Sequence, residues 1–331
     1  MKAKAVVFTA PNTVEVREVD CPDPAPDDVV VRVTHSWISN GTEGSFLRGE
    51  RIGGDIPYRP GDPWPFPIVA GYQKVGVVES VGEKVKHVRV GETVFASTSK
   101  INGMFHPKGG HVSPAVTPQA NVLKIPEGVA PLAFSGLVLT QVGYNCGARP
   151  PLEPGEGAVV IGDGMAGHWA AQTLAWRGAG VVLVGRHDDR LARFPEGPGR
   201  VTINEKTTDW VQAVRQRFPK GVAIAVDTAG SLKSLEGCIA LMKRFGHIAS
   251  AGFYGANDAF GLQPFRLKEL EISFPGGWSP ARMAKTLELI AAGHLQTLPL
   301  ITHHFPIDRA AEAWRVISEK RENALGVILD W

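Results

Sequence analysis

Six residues constrain this chain more than any others: Gly162-Asp163-Gly164-Met165-Ala166-Gly167. They follow an apolar run at 158–161 and open a helical pattern that begins near His168. Glycines at this spacing between a strand and a helix read as a dinucleotide-binding turn. Gly162 permits the tight turn, Gly164 lets the backbone approach a pyrophosphate, and Gly167 lets helix and strand pack closely. Met165 and Ala166 lie where the first N–H groups of the helix face phosphate oxygens, and count with the glycines as cofactor contacts.

The residues around the turn repeat its logic. Apolar strand cores at 158–161, 181–184 and 223–226 are followed by helical patterns at 168–177, 188–194 and 231–244, and 247–251 completes the series. Continuous apolar strands alternating with helices predict an α/β fold with a parallel, doubly wound sheet. Residues 1–150 have another texture. Short alternating stretches at 3–8, 29–33, 76–81 and 93–96, parted by turn residues, predict an irregular β-rich domain. Residues 51–67 hold five prolines and three glycines and predict a loop, while 132–144 predict a helix. The run Pro150-Pro151-Leu152-Glu153-Pro154-Gly155 predicts the domain boundary, because repeated prolines stiffen a linker and stop helices. Near the end, 310–319 predict a helix and 325–329 a strand.

Bulk properties exclude several functions. A net charge of +2 over 331 residues, without a block of basic residues, argues against a nucleic-acid or membrane-surface partner. Cys21, Cys146 and Cys238 are far apart, so they form neither a disulfide framework nor a CxxC metal motif. No apolar run approaches the ~18 residues of a membrane span. The first residues run straight into a strand pattern rather than a signal peptide, so the cytoplasm is the expected location.

Cofactor choice is read where the second strand ends. An NAD site usually carries an acidic residue there for the ribose 2′-OH. Here the position falls on Gly185, followed by Arg186. A guanidinium can clamp a 2′-phosphate bidentately, so NADP(H) is the expected cofactor, with Arg190 one helical turn further on as a second contact. Asp188 and Asp189 could meet the ribose or serve the first turn of the following helix.

The order of these motifs resembles the medium-chain dehydrogenase/reductase superfamily, of the zinc-type alcohol dehydrogenase-like kind. The resembling pieces are Asn40-Gly41-Thr42-Glu43, Val69 to Gly76, Val81-Gly82, Val90-Gly91-Glu92, Gly110 to Pro126, the glycine turn, Val226 to Gly230 and Ala251 to Gly255. The resemblance implies a GroES-like β-rich catalytic domain, 1–150 and 290–331, with a Rossmann domain, 151–289, inserted into it. It adds Thr228, Gly252 and Phe253 to the cofactor contacts, implies a small-molecule substrate, and implies a homodimer through the segment Phe274 to Trp278. Ser39 to Glu43 together with Gly71-Tyr72 look like a zinc-less branch that includes the hydroxyethyl bacteriochlorophyllide dehydrogenase type.

The departures define the expected chemistry. Zinc-dependent members have Cys where this chain has Asn40, His-Glu where it has Tyr72-Gln73, and a third ligand near Ser135. Amide, phenol and hydroxyl make a poor shell for zinc, so no metal is expected. His106 and His111 are too few to rebuild a structural zinc lobe and read as surface or packing residues. Thr42 is then expected to hydrogen-bond the substrate oxygen or the nicotinamide ribose, and Tyr72 to act as general acid. Asn40 and Gln73 would orient substrate through their amides, with Glu43 as an acid beside the site. The loop at 51–64, with Tyr58 and Trp64, would suit a bulky, partly apolar substrate. Two other readings stay open: an NADPH-dependent quinone or enone reductase acting on C=C bonds, and a non-catalytic NADP-binding protein.

Overall fold

The computed structural model describes residues 1–254, 258–320 and 323–331. Within them the chain separates into two compact units, Met1–Val138 with Thr297–Trp331, and Leu139–Gln296. The architecture is the expected one, a GroES-like β-rich unit and a Rossmann-type unit with a parallel sheet.

In the second unit, six strands lie in the order Arg200–Asn204, Gly180–Gly185, Gly157–Ile161, Val222–Asp227, Met242–Ser250, Glu271–Ser273, and every pairing is parallel. Alternate residues face opposite sides, as the pleat requires. Val160, Leu183 and Val226 enter one buried cluster, whereas Val159, Val182 and Ala225 enter the other. Burial on both faces explains why the central strands read as unbroken apolar runs. The order of the strands reverses between Gly157–Ile161 and Val222–Asp227, and ligands of open α/β sheets bind at the strand ends beside such a switch.

The boundary expected at 150/151 moves to 138/139, and that at 289/290 to 296/297. The helix Leu137–Ala148 is the cause of the first shift. A Cβ at Gly143 would stand 2.6 Å from Trp169 Cβ, and one at Gly147 2.7 Å from the Ala170 carbonyl oxygen, so two glycines seat this helix on the helix Met165–Trp176. Arg177 then donates to the Gly147 and Pro150 carbonyls (2.7 and 2.8 Å), which ties the proline run to the second unit. The helix expected at 132–144 is a 3₁₀ turn, Pro131–Phe134, followed by the true helix.

In the first unit, the principal sheet runs Val122–Lys124, Thr93–Ala96, Lys74–Val81, Asp28–Trp37, Gly326–Asp330, Ile301–Pro306, with Ala115–Pro118 also on Asp28–Trp37. A second sheet is built on Lys2–Ala10 and Thr13–Asp20. Phe8 packs edge-on against Trp314 of the helix Ala310–Glu319, ring centroids 5.3 Å apart. The segment 51–67 is not all loop: Arg51–Gly53 pairs with Ile56–Pro57, and Arg51 reaches Gly54 and Asp55 across the turn. Among the described residues no helix is long and apolar enough to cross a membrane.

Candidate active site

In the first unit the site is built where the strand Asp28–Trp37 feeds the helix Asn40–Leu47. Ser39 is the N-cap of that helix, but its hydroxyl does not cap. Glu43, one turn on, reaches back instead: Oε1 accepts the Ser39 N–H at 2.8 Å. The contact does from the fourth helical position what a capping-box glutamate does from the third, and a carboxylate in the first turn also suits the helix dipole. The Ser39 side chain is thereby available to Tyr72, whose hydroxyl hydrogen-bonds with both Ser39 and Thr42. Burial, with a smaller contribution from the Glu43 charge, pushes the Tyr72 phenol well above its ordinary pKa, against the pull of those two hydrogen bonds. The phenol is therefore neutral, a donor rather than a base.

The backbone around Tyr72 leaves no room for side chains. Gly71 has φ +81°, and a Cβ there would stand 2.5 Å from the His111 ring. A Cβ at Gly110 would stand 2.2 Å from the Tyr72 nitrogen. Gly71→Ala is accordingly expected to lower the unfolding free energy by about 1–3 kcal/mol from the left-handed backbone alone, with the clash in addition. Urea denaturation measures this, and an unchanged midpoint would show that the segment relaxes freely.

The positions that hold zinc in related folds do not fit the metal here. Asn40 Nδ2 donates to the Leu325 carbonyl (2.9 Å), Gln73 Nε2 to the Trp37 carbonyl (3.2 Å) and Ser135 Oγ to the Leu132 carbonyl (2.8 Å). An amide, a neutral phenol, a second amide and a hydroxyl offer none of the thiolate, imidazole or carboxylate donors that zinc takes. Among the described residues no three of His, Cys, Asp and Glu cluster in a metal-holding arrangement.

One expectation changes in this unit. Gln73 is fully buried with its amide committed to Trp37, so it supports the sheet rather than a substrate. Asn40 commits its Nδ2 to the Leu325 carbonyl, and its Oδ1 is a buried acceptor with no donor among the described residues. Of the two places expected for His111, surface or packing, it takes the second: it is fully buried, edge-on to Trp314, and both ring nitrogens are engaged. His106 does lie in packing, edge-on to Phe46 and Phe105.

In the second unit the glycine turn has the form its spacing requires. Gly162 adopts φ +115°, a Cβ at Gly167 would stand 1.9 Å from the Gly162 carbonyl oxygen, and Gly164, the N-cap, opens onto empty space. Met165 and Ala166 form the first turn behind it. Thr228 donates from Oγ1 to the Ile161 carbonyl at 2.8 Å, and Gly252 packs on Gly230 so closely that a Cβ would stand 2.0 Å from the Gly230 nitrogen. Phe253 is exposed. These groups form an open cradle at a helix start, which fits a pyrophosphate.

Beyond the turn, Asp163 organises the loop that follows the strand Gly180–Gly185. Its Oδ2 accepts the N–H of Arg186 (2.7 Å) and of His187 (2.8 Å) and lies 2.9 Å from His187 Nδ1. Burial acts to raise its pKa, but those hydrogen bonds prevail and hold it below the usual carboxylate value. A Cβ at Gly185 would stand 2.4 Å from Asp163 Cβ, so glycine is required there. Arg190 Nη1 lies 3.7 Å from Asp163 Oδ1. Arg186 is exposed, and its Nε donates to Glu205, immediately past the strand Arg200–Asn204. The sequence reading did not foresee Asp163 or Glu205 as neighbours of the loop. The signal for Glu205 lay in the edge strand before it, Arg-Val-Thr-Ile-Asn, whose polar residues mask its type.

Comparison with known proteins agrees with this architecture. Residues 25–127 match the alcohol dehydrogenase GroES-like domain, and residues 166–292 the zinc-binding dehydrogenase domain. The 2-desacetyl-2-hydroxyethyl bacteriochlorophyllide A dehydrogenase of Cereibacter sphaeroides is 29% identical over 342 residues, covering 100% of this chain and 99% of its own. An Escherichia coli oxidoreductase/dehydrogenase of unknown specificity superposes with a TM-score of 0.86 at 20% identity, covering 100% of this chain and 99% of its own. An Escherichia coli alcohol dehydrogenase complexed with NADH superposes at 0.84 and 22% identity, with the same coverage. The chain belongs to the medium-chain dehydrogenase/reductase superfamily, in its zinc-type alcohol dehydrogenase-like division, a family of oxidoreductases.

Proposed function

We propose that this chain is a zinc-independent oxidoreductase that moves hydride between NADP(H) and a secondary alcohol or ketone, Thr42 and Tyr72 taking the place of metal-assisted polarisation. The observation that carries the reading is the Tyr72 phenol, neutral and seated between the Ser39 and Thr42 hydroxyls. Bound nicotinamide would supply the hydride chemistry. The protein's part is to hold the substrate oxygen and deliver a proton. Tyr72 donates that proton in the reductive direction, and Thr42 shares the hydrogen bond. Asn40 Oδ1, without a donor of its own, accepts from a substrate hydroxyl. Glu43 fixes the loop through the Ser39 N–H.

The Cereibacter relative is named for a hydroxyethyl-bearing compound, which supports C–OH rather than C=C chemistry. A bulky, partly apolar substrate is supported by the aromatic series of Tyr58, Trp64 and Phe66, with centroid spacings of 6.0 and 5.4 Å. The exposed apolar residues Leu267, Phe274 and Trp278 around the edge strand Glu271–Ser273 support a homodimer, which sedimentation velocity would read directly. The test of the reaction class is a panel of ketones, aldehydes, enones and quinones with NADPH. Turnover of ketones supports the proposal. Turnover of enones alone assigns the chain to C=C reduction, and cofactor binding without any turnover removes the enzymatic reading.

A further inference from the structure

A chain of hydrogen bonds runs from this site through buried Glu43, His111 and Ser36 to the half-buried Trp331. Trp331 Nε1 donates to Ser36 Oγ at 2.9 Å. Ser36 Oγ lies 2.8 Å from His111 Nδ1, and His111 Nε2 lies 3.0 Å from Glu43 Oε2. The other Glu43 oxygen holds the Ser39 N–H at 2.8 Å. Ser36 and His111 are 0% exposed, and Ser39 and Glu43 2%.

One direction in this chain is fixed by chemistry. A carboxylate can only accept, so His111 Nε2–H donates to Glu43 whichever way the hydrogen bond between His111 Nδ1 and Ser36 Oγ runs. The indole N–H of Trp331 donates to Ser36 Oγ from the other side. A buried polar network whose members are all partnered rigidifies its surroundings. The His111 ring also lies against Gly71, where any Cβ would strike it, so one side chain borders both the Glu43 carboxylate and the peptide that carries Tyr72.

We propose that His111 is a positioning residue for the candidate active site: its Nε2–H aims Glu43 at the Ser39 N–H, and that contact frees the Ser39 hydroxyl for Tyr72. Without it the carboxylate would be buried with a lost donor and would compete for the hydroxyls of the Ser39, Thr42 and Tyr72 cluster, whose phenol already feels its charge. That rearrangement competes directly for the phenol's proton. The role is the one outer partners perform for ligating histidines at metal sites, transferred to a site without the metal.

The inference rests on the carbonyl-reducing reading, and one set of variants separates the two. His111→Phe, which keeps a ring but no donor, is expected to lower kcat by roughly 10–100-fold, the range for losing an orienting partner. The affinity for NADPH, followed by fluorescence titration, is expected to stay unchanged. His111→Gln, which carries a donor near the Nε2 position, is expected to restore most of the turnover. Should the Phe variant not fold, Gln against Asn decides, because Asn reaches only the Nδ1 position and is expected to be as slow as Phe. Unchanged kcat in His111→Phe overturns the inference, and so does equal loss in the Gln and Asn variants. A wild-type protein that reduces no carbonyl overturns both the functional reading and the inference, whereas a slow Tyr72→Phe beside a normal His111→Phe overturns the inference alone.

Discussion

Replacing Tyr72 by phenylalanine is expected to lower kcat for carbonyl reduction by about 10²–10⁴-fold, the usual contribution of a positioned general acid. Phenylalanine keeps the ring and the burial and removes only the hydroxyl that meets Ser39 and Thr42. NADPH affinity is expected to hold, because the cradle for its phosphates belongs to the other unit of the chain. The sign of the pH dependence follows from the direction of the shift. The donating form is the protonated one, and burial raises the pKa above the ordinary ~10 of a phenol. Carbonyl reduction is therefore not limited by loss of this proton anywhere in the neutral range. Alcohol oxidation through the same group, which needs the phenolate, is penalised at neutral pH and gains as pH rises. Steady-state kinetics of the variant in both directions measures this, and an unchanged kcat would reduce Tyr72 to a filler of the volume a metal site once occupied.

The second large effect is expected at Arg186. Its guanidinium stands at the end of the strand Gly180–Gly185, where an acidic side chain would mark an NAD site, and Asp163 holds the backbone there by the N–H groups of Arg186 and His187. A charge-assisted hydrogen bond contributes about 1.5–3 kcal/mol. Arg186→Ala should thus weaken NADPH binding by roughly 10–100-fold, at about 1.4 kcal/mol per tenfold, and leave NADH binding unchanged. Glu205 would oppose such a preference. Its carboxylate pairs with the same guanidinium and would face an incoming phosphate, so Glu205→Gln is expected to tighten NADPH binding and not NADH. Titration of the three proteins with both cofactors measures the balance. A wild-type protein that prefers NADH, with Arg186→Ala binding NADPH as well as the parent, would contradict the assignment.

Much of this architecture was legible because the signals are local. The strands Gly157–Ile161, Gly180–Gly185 and Val222–Asp227 are buried on both faces and read as apolar runs, and the glycine turn shows itself within six residues. The edge strands Arg200–Asn204 and Glu271–Ser273 pair on one side only, carry polar residues, and were not recognised. The helix Pro280–Ala291 had a readable period, with Met283, Thr286, Leu289 and Ile290 buried on one stripe, but lay in a region assigned by analogy. At the site, the replacements Asn40, Tyr72, Gln73 and Ser135 could be read residue by residue. What could not be read was pairing across the chain. His111 finds Glu43 68 positions away and Ser36 75 positions away, and nothing in its own neighbourhood announces either. The place of Gln73 was illegible for a related reason: its amide meets the Trp37 carbonyl, 36 positions away, from an irregular segment between the strands Ile68–Val69 and Lys74–Val81.

The central claim is that hydroxyl groups, not a metal, handle the substrate oxygen. Its most direct test is metal content and NADPH-dependent ketone reduction measured on one preparation before and after exhaustive chelation. The account predicts no stoichiometric zinc and an unchanged turnover. Stoichiometric zinc, with turnover abolished by the chelator and restored by zinc alone, would contradict it.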